Sequence, residues 1–388
     1  MPIFKYLTTL LVLFLSACSS INPPPGVTPI PIEQLAWQDA FFAYDPSLVT
    51  IHRQDLFYLN PALTAQINAV LARRMAMPAR LNQLLTIVFG STHTIFPYRA
   101  GHSTIASETW KNKYGDCISL TMLSYAVGKA LQLPIEMQEV ESATLFDRRE
   151  QIDFINEHVN IIVNNSQQIE LKEKTLGARD FVIDFEPEFA VFERGRSLTE
   201  DGIAARFYNN LASEYFANDQ PRLAYAYFKA AIYIDPSYAE SYSNLAQLYR
   251  SKDLLADAEK MLRYCLQINP NAEIAMTSLR DLLTQQNRTD EAQHYTDLLK
   301  QWQYKNPYHW LRLGIYQINH QQFSDAVDSL EHAAEITHGF EEVHANLALA
   351  YWHNKQEKKA REQLNILTKL NPNNARISVL NKMFNTPP

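Results

Sequence analysis

From about residue 205 the chain repeats itself at a fixed interval of 34 residues, and no other feature limits its fold as strongly. Five copies set in register place Tyr208, Tyr242, Met276, Trp310 and His344 at the fourth position, and Leu211, Leu245, Leu279, Leu313 and Leu347 at the seventh. The eighth holds Ala212, Ala246, Arg280, Gly314 and Ala348, and the twentieth holds Ala224, Ala258, Ala292, Ala326 and Ala360. Pro236, Pro270 and Pro372 close three copies, with Tyr304 and His338 standing in the corresponding places of the other two. Thirty-four residues accommodate two antiparallel helices and their turns. Small residues where the helices cross let the backbones approach, and larger neighbours fill the holes around them. Cys265 stands where other copies carry Ala231 and Ala333, so it is expected as a small buried filler. Arg280 and Tyr304 make the third copy the most divergent, and Ala375 to Phe384 is expected to cap the exposed apolar end of the stack.

This pattern resembles the tetratricopeptide repeat over residues 205–374. The resemblance implies an all-α solenoid whose concave face is lined by the first helix of each pair. In the first two copies the lining positions are Arg206, Asn209, Ser213 and Phe216, then Glu240, Ser243, Gln247 and Arg250. Later copies turn apolar, and Tyr308, Leu311, Ile315, Ile318, Leu349 and Trp352 are the expected docking residues for a peptide or a partner helix. The competing expectation is that the C-terminal segment or another domain covers that face.

Composition narrows the partners. The net charge is −7, and the 35 Lys and Arg are scattered rather than clustered, which excludes a nucleic-acid footprint. At the N-terminus Lys5 precedes the apolar run Leu7 to Leu15, too short to span a bilayer, as in a secretory signal. Leu15-Ser-Ala-Cys18 follows at once and resembles the lipobox of bacterial lipoproteins. That resemblance implies removal of residues 1–17 and diacylation of Cys18, and Ser19 beside it implies sorting to the outer membrane, facing the periplasm. Residues 18–32 then form a tether, in which the five prolines between Ile21 and Pro31 favour an extended chain. The expected mature protein is anchored to a membrane through lipid and does not cross it.

Residues 33–200 show mixed periodicity. Ile32 to Tyr44, Ala62 to Met75 and Ala79 to Phe89 have helical spacing, and Cys117 to Leu131 is a further helix. Ile135 to Val140, His158 to Val163 and Phe181 to Phe185 read as strands of an antiparallel sheet. A Cys in the first turn of a helix lies near free N–H groups and the positive dipole end, which favour thiolate. His158 opens a strand whose alternation aims His158, Asn160 and Ile162 to one face, and Asp184 is a carboxylate in an otherwise apolar run.

In the order Gly115-Asp-Cys117, His158-Val-Asn-Ile and Ile183-Asp184-Phe-Glu-Pro187, these residues resemble the transglutaminase-like superfamily of papain-type thiol enzymes. The resemblance covers roughly residues 95–190 and implies an α+β domain with a helical N-terminal portion. It further implies that Cys117 attacks an amide carbonyl to form a thioester, with His158 shuttling protons and Asp184 orienting the imidazole. Asp180 and Glu186 share strand parity with Asp184 and stay open as the third member. The animal members have a Trp well upstream of the nucleophile, and none lies between Trp37 and Trp110, which disfavours crosslinking of that type. No cofactor is expected. His93 and His102 fit no familiar zinc spacing, so no metal is expected either. The functional expectation is an anchored cysteine protease, amidase or acyltransferase whose repeats recruit a protein. The alternatives are a non-catalytic protein-binding scaffold and a cell-wall amidase. The oligomeric state is left open.

Overall fold

The structure is a computed structural model that describes residues 31–90, 99, 102–149, 152–164, 180–185, 195–337, 339–372 and 374–385. The signal segment, Cys18 and the tether up to residue 30 lie outside the described residues. No helix among the described residues is long and apolar enough to cross a membrane.

The repeats form ten helices in five pairs: α5 (Glu200–Ala217) with α6 (Pro221–Ile234), α7 (Ala239–Ser251) with α8 (Leu255–Ile268), α9 (Glu273–Gln285) with α10 (Thr289–Lys305), α11 (Pro307–Asn319) with α12 (Phe323–Ile336), and α13 (Glu341–His353) with α14 (Glu357–Leu370). A last helix, α15 (Ala375–Asn385), packs on the final pair and buries Leu380 and Phe384. The alanines at the twentieth position are buried in every copy.

Each pair turns on a residue in the left-handed region: Asp219 (φ 52°), Asp253 (61°), Asn287 (59°), Gln321 (60°) and Lys355 (60°), again 34 residues apart. The amide after each donates five residues back: Gln220 to the Tyr215 carbonyl, Leu254 to Tyr249, Arg288 to Leu283, Gln322 to Gln317 and Gln356 to Tyr351, at 2.8–3.0 Å. These are Schellman caps that satisfy the last carbonyls of each first helix. None uses the glycine that usually fills this place, so every turn carries the steric cost of a Cβ at positive φ.

The apolar core of the array divides. One cluster runs from the N-terminal domain through Leu279, Leu283 and Ala292, and a second begins at Leu311 and ends at Phe384. Between them the third and fourth pairs meet across a polar seam, where Glu273, which accepts from Gln303 Nε2 of its own pair (2.9 Å), faces Arg312 of α11 (3.5 Å). Leu313 in the fourth copy is accordingly only half-buried, where Leu245 and Leu279 are fully enclosed.

The N-terminal domain contains α1 (Pro61–Ala72), α2 (Met77–Phe89), α3 (Ala106–Asn112) and α4 (Cys117–Ala130), then strands β1 (Ile135–Arg149), β2 (Ile152–Val163), β3 (Phe181–Ile183) and β4 (Arg196–Leu198). Helix α1 starts where expected, with Pro61 in its first turn and Asn60 Oδ1 accepting from Leu63 N at 2.9 Å. The four strands form one antiparallel sheet in the order β3-β2-β1-β4. β1 and β2 outrun the expected segments, and β4, a three-residue Arg-Ser-Leu edge, carries too little pattern to be foreseen. Helix α4 lies against this sheet, with Leu120, Met122, Leu123 and Val127 fully enclosed. Gly128 permits the contact, because a Cβ there would run into the Ile135 side chain.

Two expectations fail. Residues Ile32 to Tyr44 do not make an α-helix; beyond one 3₁₀ turn at Ile32–Gln34 they form an irregular strap across the first two repeats. Their aromatic rings bind the outer helices instead: Phe42 stacks on Tyr225 (4.6 Å) and Trp37 on Tyr233 (5.7 Å). Their backbone is satisfied by Tyr225 Oη, which accepts from Gln38 N (2.9 Å), and Tyr249 Oη, which donates to the Ala36 carbonyl (2.7 Å). Asp39 receives Lys229 Nζ at 2.7 Å and Tyr225 Oη at 2.7 Å. The polar lining of the first repeat also fails as an open surface, since Arg206, Asn209 and Ser213 are buried. Arg206 pairs with Glu139 of β1 (2.8 Å), Glu214 accepts from Ser103 N (3.0 Å), and Tyr125 of α4 donates to Glu200 (3.2 Å). The N-terminal domain occupies that end of the array.

Candidate functional site

Cys117 is the first residue of α4 and is 4% exposed. Asp116 caps the helix, its Oδ1 accepting from Ser119 N (2.8 Å) and Ser119 Oγ (2.6 Å) and its Oδ2 from Ser103 Oγ (2.5 Å). Thr104 N in turn donates to Ser119 Oγ at 2.9 Å, so the segment before α3 is fastened to the first turn of α4. Gly115 serves close approach, not a left-handed turn: a Cβ there would lie 2.8 Å from Ser119 Cβ and 3.1 Å from Thr109 Cγ2. Neither Cys117 nor Cys265 is in a disulfide and both are buried, with Cys265 enclosed among the repeats as a filler.

His158 lies on β2 and Asp184 immediately follows β3. The His158 Nε2 atom is 2.8 Å from each Asp184 oxygen, and both side chains are almost fully enclosed, at 1% and 4% exposure. Asn160 Nδ2 donates to Asp184 Oδ2 at 2.9 Å, and Gln138 Nε2 donates to Asn160 Oδ1 at 2.9 Å. The backbone sheet sets this up. Asn160 is opposite Gln138 in the β1–β2 register, and the Ile161↔Ile183 pair brings Asp184 alongside Asn160 on the third strand. Asp180 is exposed, and Glu186 and His93 lie outside the described residues.

Helix α4 reaches β2 through Thr121 Oγ1, which donates to the Val159 carbonyl at 3.3 Å. Thr121 is one helical turn from Cys117 on the same face, and Val159 adjoins His158, so the thiol end of α4 borders the histidine strand. A burial-lowered Lys113 ammonium sits over the Trp110 ring (4.2 Å) at the end of α3, just before this turn. No group of three or more His, Cys, Asp or Glu arranged to hold a metal occurs among the described residues.

The expected docking residues divide. Leu311 is wholly buried and belongs to the core, a correction that follows from its packing in the second cluster under α13. Trp352 stacks on Phe384 of α15 (4.6 Å, 23°), so the C-terminal helix covers part of that end, as the competing expectation held. Tyr308 meets Phe340 edge-on at 5.2 Å. Ile315, Ile318 and Leu349 are half-buried at the surface of the second cluster, and β1 of the N-terminal domain reaches α11.

A family model described as tetratricopeptide repeat matches residues 205–238, 239–272 and 341–374, which are the first, second and fifth copies in the register above. These are tetratricopeptide repeats. The third and fourth copies keep the same helix pairing while lying outside the matched segments, and they flank the polar seam. A curated relative, the uncharacterized protein ycf37 of Porphyra purpurea, is 33% identical over 75 residues, or 19% of this chain and 43% of that protein. The chain thus spans less than half the length of that relative. Among solved structures, pilF of Pseudomonas aeruginosa is 14% identical, with 46% of this chain and 82% of that one covered and a TM-score of 0.26. MamA of Desulfovibrio magneticus RS-1 is 14% identical over 44% and 97%, with a TM-score of 0.25. YrrB, described as a TPR protein with an unusual peptide-binding site, is 18% identical over 46% and 92%, with a TM-score of 0.25. The matched family segments all lie beyond residue 204.

Proposed function

We propose that the protein is a protein-binding scaffold whose tetratricopeptide array presents a peptide or helix site on the first helices of its later repeats. The observation that carries this is the repeat array itself, with Ile315, Ile318 and Leu349 left half-buried along it. The lipobox-like Leu15-Ser-Ala-Cys18 supports a lipid-anchored place in a bacterial envelope, with the scaffold held close to the outer membrane. A photo-crosslinking residue at Ile318 should give a discrete adduct with a partner protein in cells, and one at the exposed Ile366 on α14 should not. Equal, diffuse labelling from both sites speaks against a docking face there.

A second reading rests on the buried His158–Asp184 pair beside the Cys117 helix: a transglutaminase-like cysteine site. In it the Cys117 thiolate adds to an amide carbonyl, His158 gives its proton to the leaving amine, and water or a second amine releases the acyl group from the thioester. Asp184 holds the ring in one tautomer and stabilises the imidazolium. Cys117 and His158 are only 4% and 2% exposed, and a macromolecular amide needs an opening to reach them, which is why the scaffold reading leads. Iodoacetamide labelling of the folded protein separates the two. The enzyme reading requires Cys117 to react faster than Cys265 near neutral pH and His158→Ala to slow it; equal, slow labelling of both thiols leaves the scaffold alone.

A further inference from the structure

Gln138 on β1, Asn160 opposite it on β2 and Asp184 just past β3 form one row of polar side chains across the sheet. The row is hydrogen-bonded end to end. The Gly195 amide donates to Gln138 Oε1 (3.0 Å), Gln138 Nε2 to Asn160 Oδ1 (2.9 Å), and Asn160 Nδ2 to Asp184 Oδ2 (2.9 Å). Gln138 and Asn160 are 1% and 0% exposed. Gly195 is held so close to β1 that a Cβ would collide with the Glu139 carbonyl oxygen, which fixes where its amide points. The direction of each amide is therefore set by its neighbour, and the row ends on the carboxylate that faces His158. A buried polar network satisfied in this manner is rigid, whereas one lost member leaves costly unpaired groups.

We propose that Asn160, oriented by Gln138, is a positioning residue that fixes the Asp184 carboxylate against His158. This rests on the transglutaminase-like reading of the same site. Asp184 offers its two oxygens equally to His158 Nε2, so the imidazole alone does not choose one carboxylate rotamer, whereas Asn160 Nδ2 donates to Oδ2 only. Without it the carboxylate turns, the imidazolium loses its fixed counter-ion, and the thiolate at Cys117 becomes harder to form.

The test uses the purified full-length chain, with iodoacetamide as probe and alkylation at Cys117 read by peptide mass mapping across pH. Asn160→Ala and the near-isosteric Gln138→Met should each move the Cys117 inflection upward by about one pH unit, roughly tenfold in rate below it, with the circular dichroism spectrum unchanged. His158→Ala is the reference. If His158→Ala moves the profile and the two folded row variants do not, Asn160 does not position Asp184 and the proposal is overturned while the enzyme reading stands. If none of the three moves it, the enzyme reading falls and takes the proposal with it. Should the variants fail to fold, the wild-type protein decides: the Asn160 side-chain amide resonances should titrate together with the His158 ring, and an amide indifferent to that titration overturns the proposal.

Discussion

Replacing Arg206 by Met tests whether the N-terminal domain and the first repeat are one body. The guanidinium is 2% exposed, sits 2.8 Å from Glu139, donates to the Gly202 carbonyl at 3.0 Å and lies 4.1 Å over the Tyr238 ring. Removing one partner of such a buried pair costs about 3–5 kcal/mol, because the other charge is left enclosed. Here Glu139 keeps Arg196, which is itself half-exposed, and Met retains the packing of the stem, so the low end applies. A loss of about 3 kcal/mol is expected, roughly two decades in the folding equilibrium. Urea unfolding should show the midpoint of the N-terminal block lowered by about 1 M, given slopes of roughly 2–3 kcal/mol/M. Hydrogen exchange should accelerate in both α4 and α5. Combining it with Glu139→Gln should cost less than the sum of the single changes. A loss below about 1 kcal/mol, or faster exchange confined to α5, refutes the claim that this pair joins the two parts.

The Asp39 carboxyl gives a pH dependence. Burial raises its pKa, but hydrogen bonds from Lys229 and Tyr225 outweigh that and hold it below the ordinary 3.8. Its contribution is therefore present at neutral pH and lost as pH falls through the depressed value. Asp39→Asn should be less stable than wild type at pH 7, with the difference closing below about pH 4 in thermal melts. Gly314→Ala would drive a Cβ into Leu330 and should destabilise the C-terminal core by about 1–3 kcal/mol, read as faster hydrogen exchange in α11 and α12 with α5 and α6 unchanged. Lys355→Gly removes a Cβ at φ 60° and should raise the melting temperature slightly, a gain of up to about 1 kcal/mol, where glycine inside a helix would lower it.

The solenoid was legible because a helical pair cannot hide its period: the alanines at crossing points recur wherever two backbones approach. The caps were not, because Asp219, Asn287, Gln321 and Lys355 share no side-chain chemistry that advertises a left-handed residue. Helical spacing likewise names the face on which Arg206 stands but not what lies against it, so a buried ion pair read as an open polar lining. The aromatic strap was mistaken for a helix because Trp37, Phe41, Phe42 and Tyr44 have helical spacing, yet their partners are on the distant α6 and α7. At the site, strand alternation put His158 and Asn160 on one face, whereas Gln138 lies on another strand whose register no local pattern reveals.

The seam at Glu273 gives the molecule a joint. Its N-terminal domain and first three repeats act as a foot, and its last two repeats with α15 as a lever, joined by the Glu273–Arg312 bridge, by the Tyr304 ring packed against Trp310 and His332, and by β1 where it reaches α11. A cargo gripping only the lever leaves those few contacts to set its angle, while one that straddles the joint ties the two parts together and gives up affinity for whatever freedom it removes.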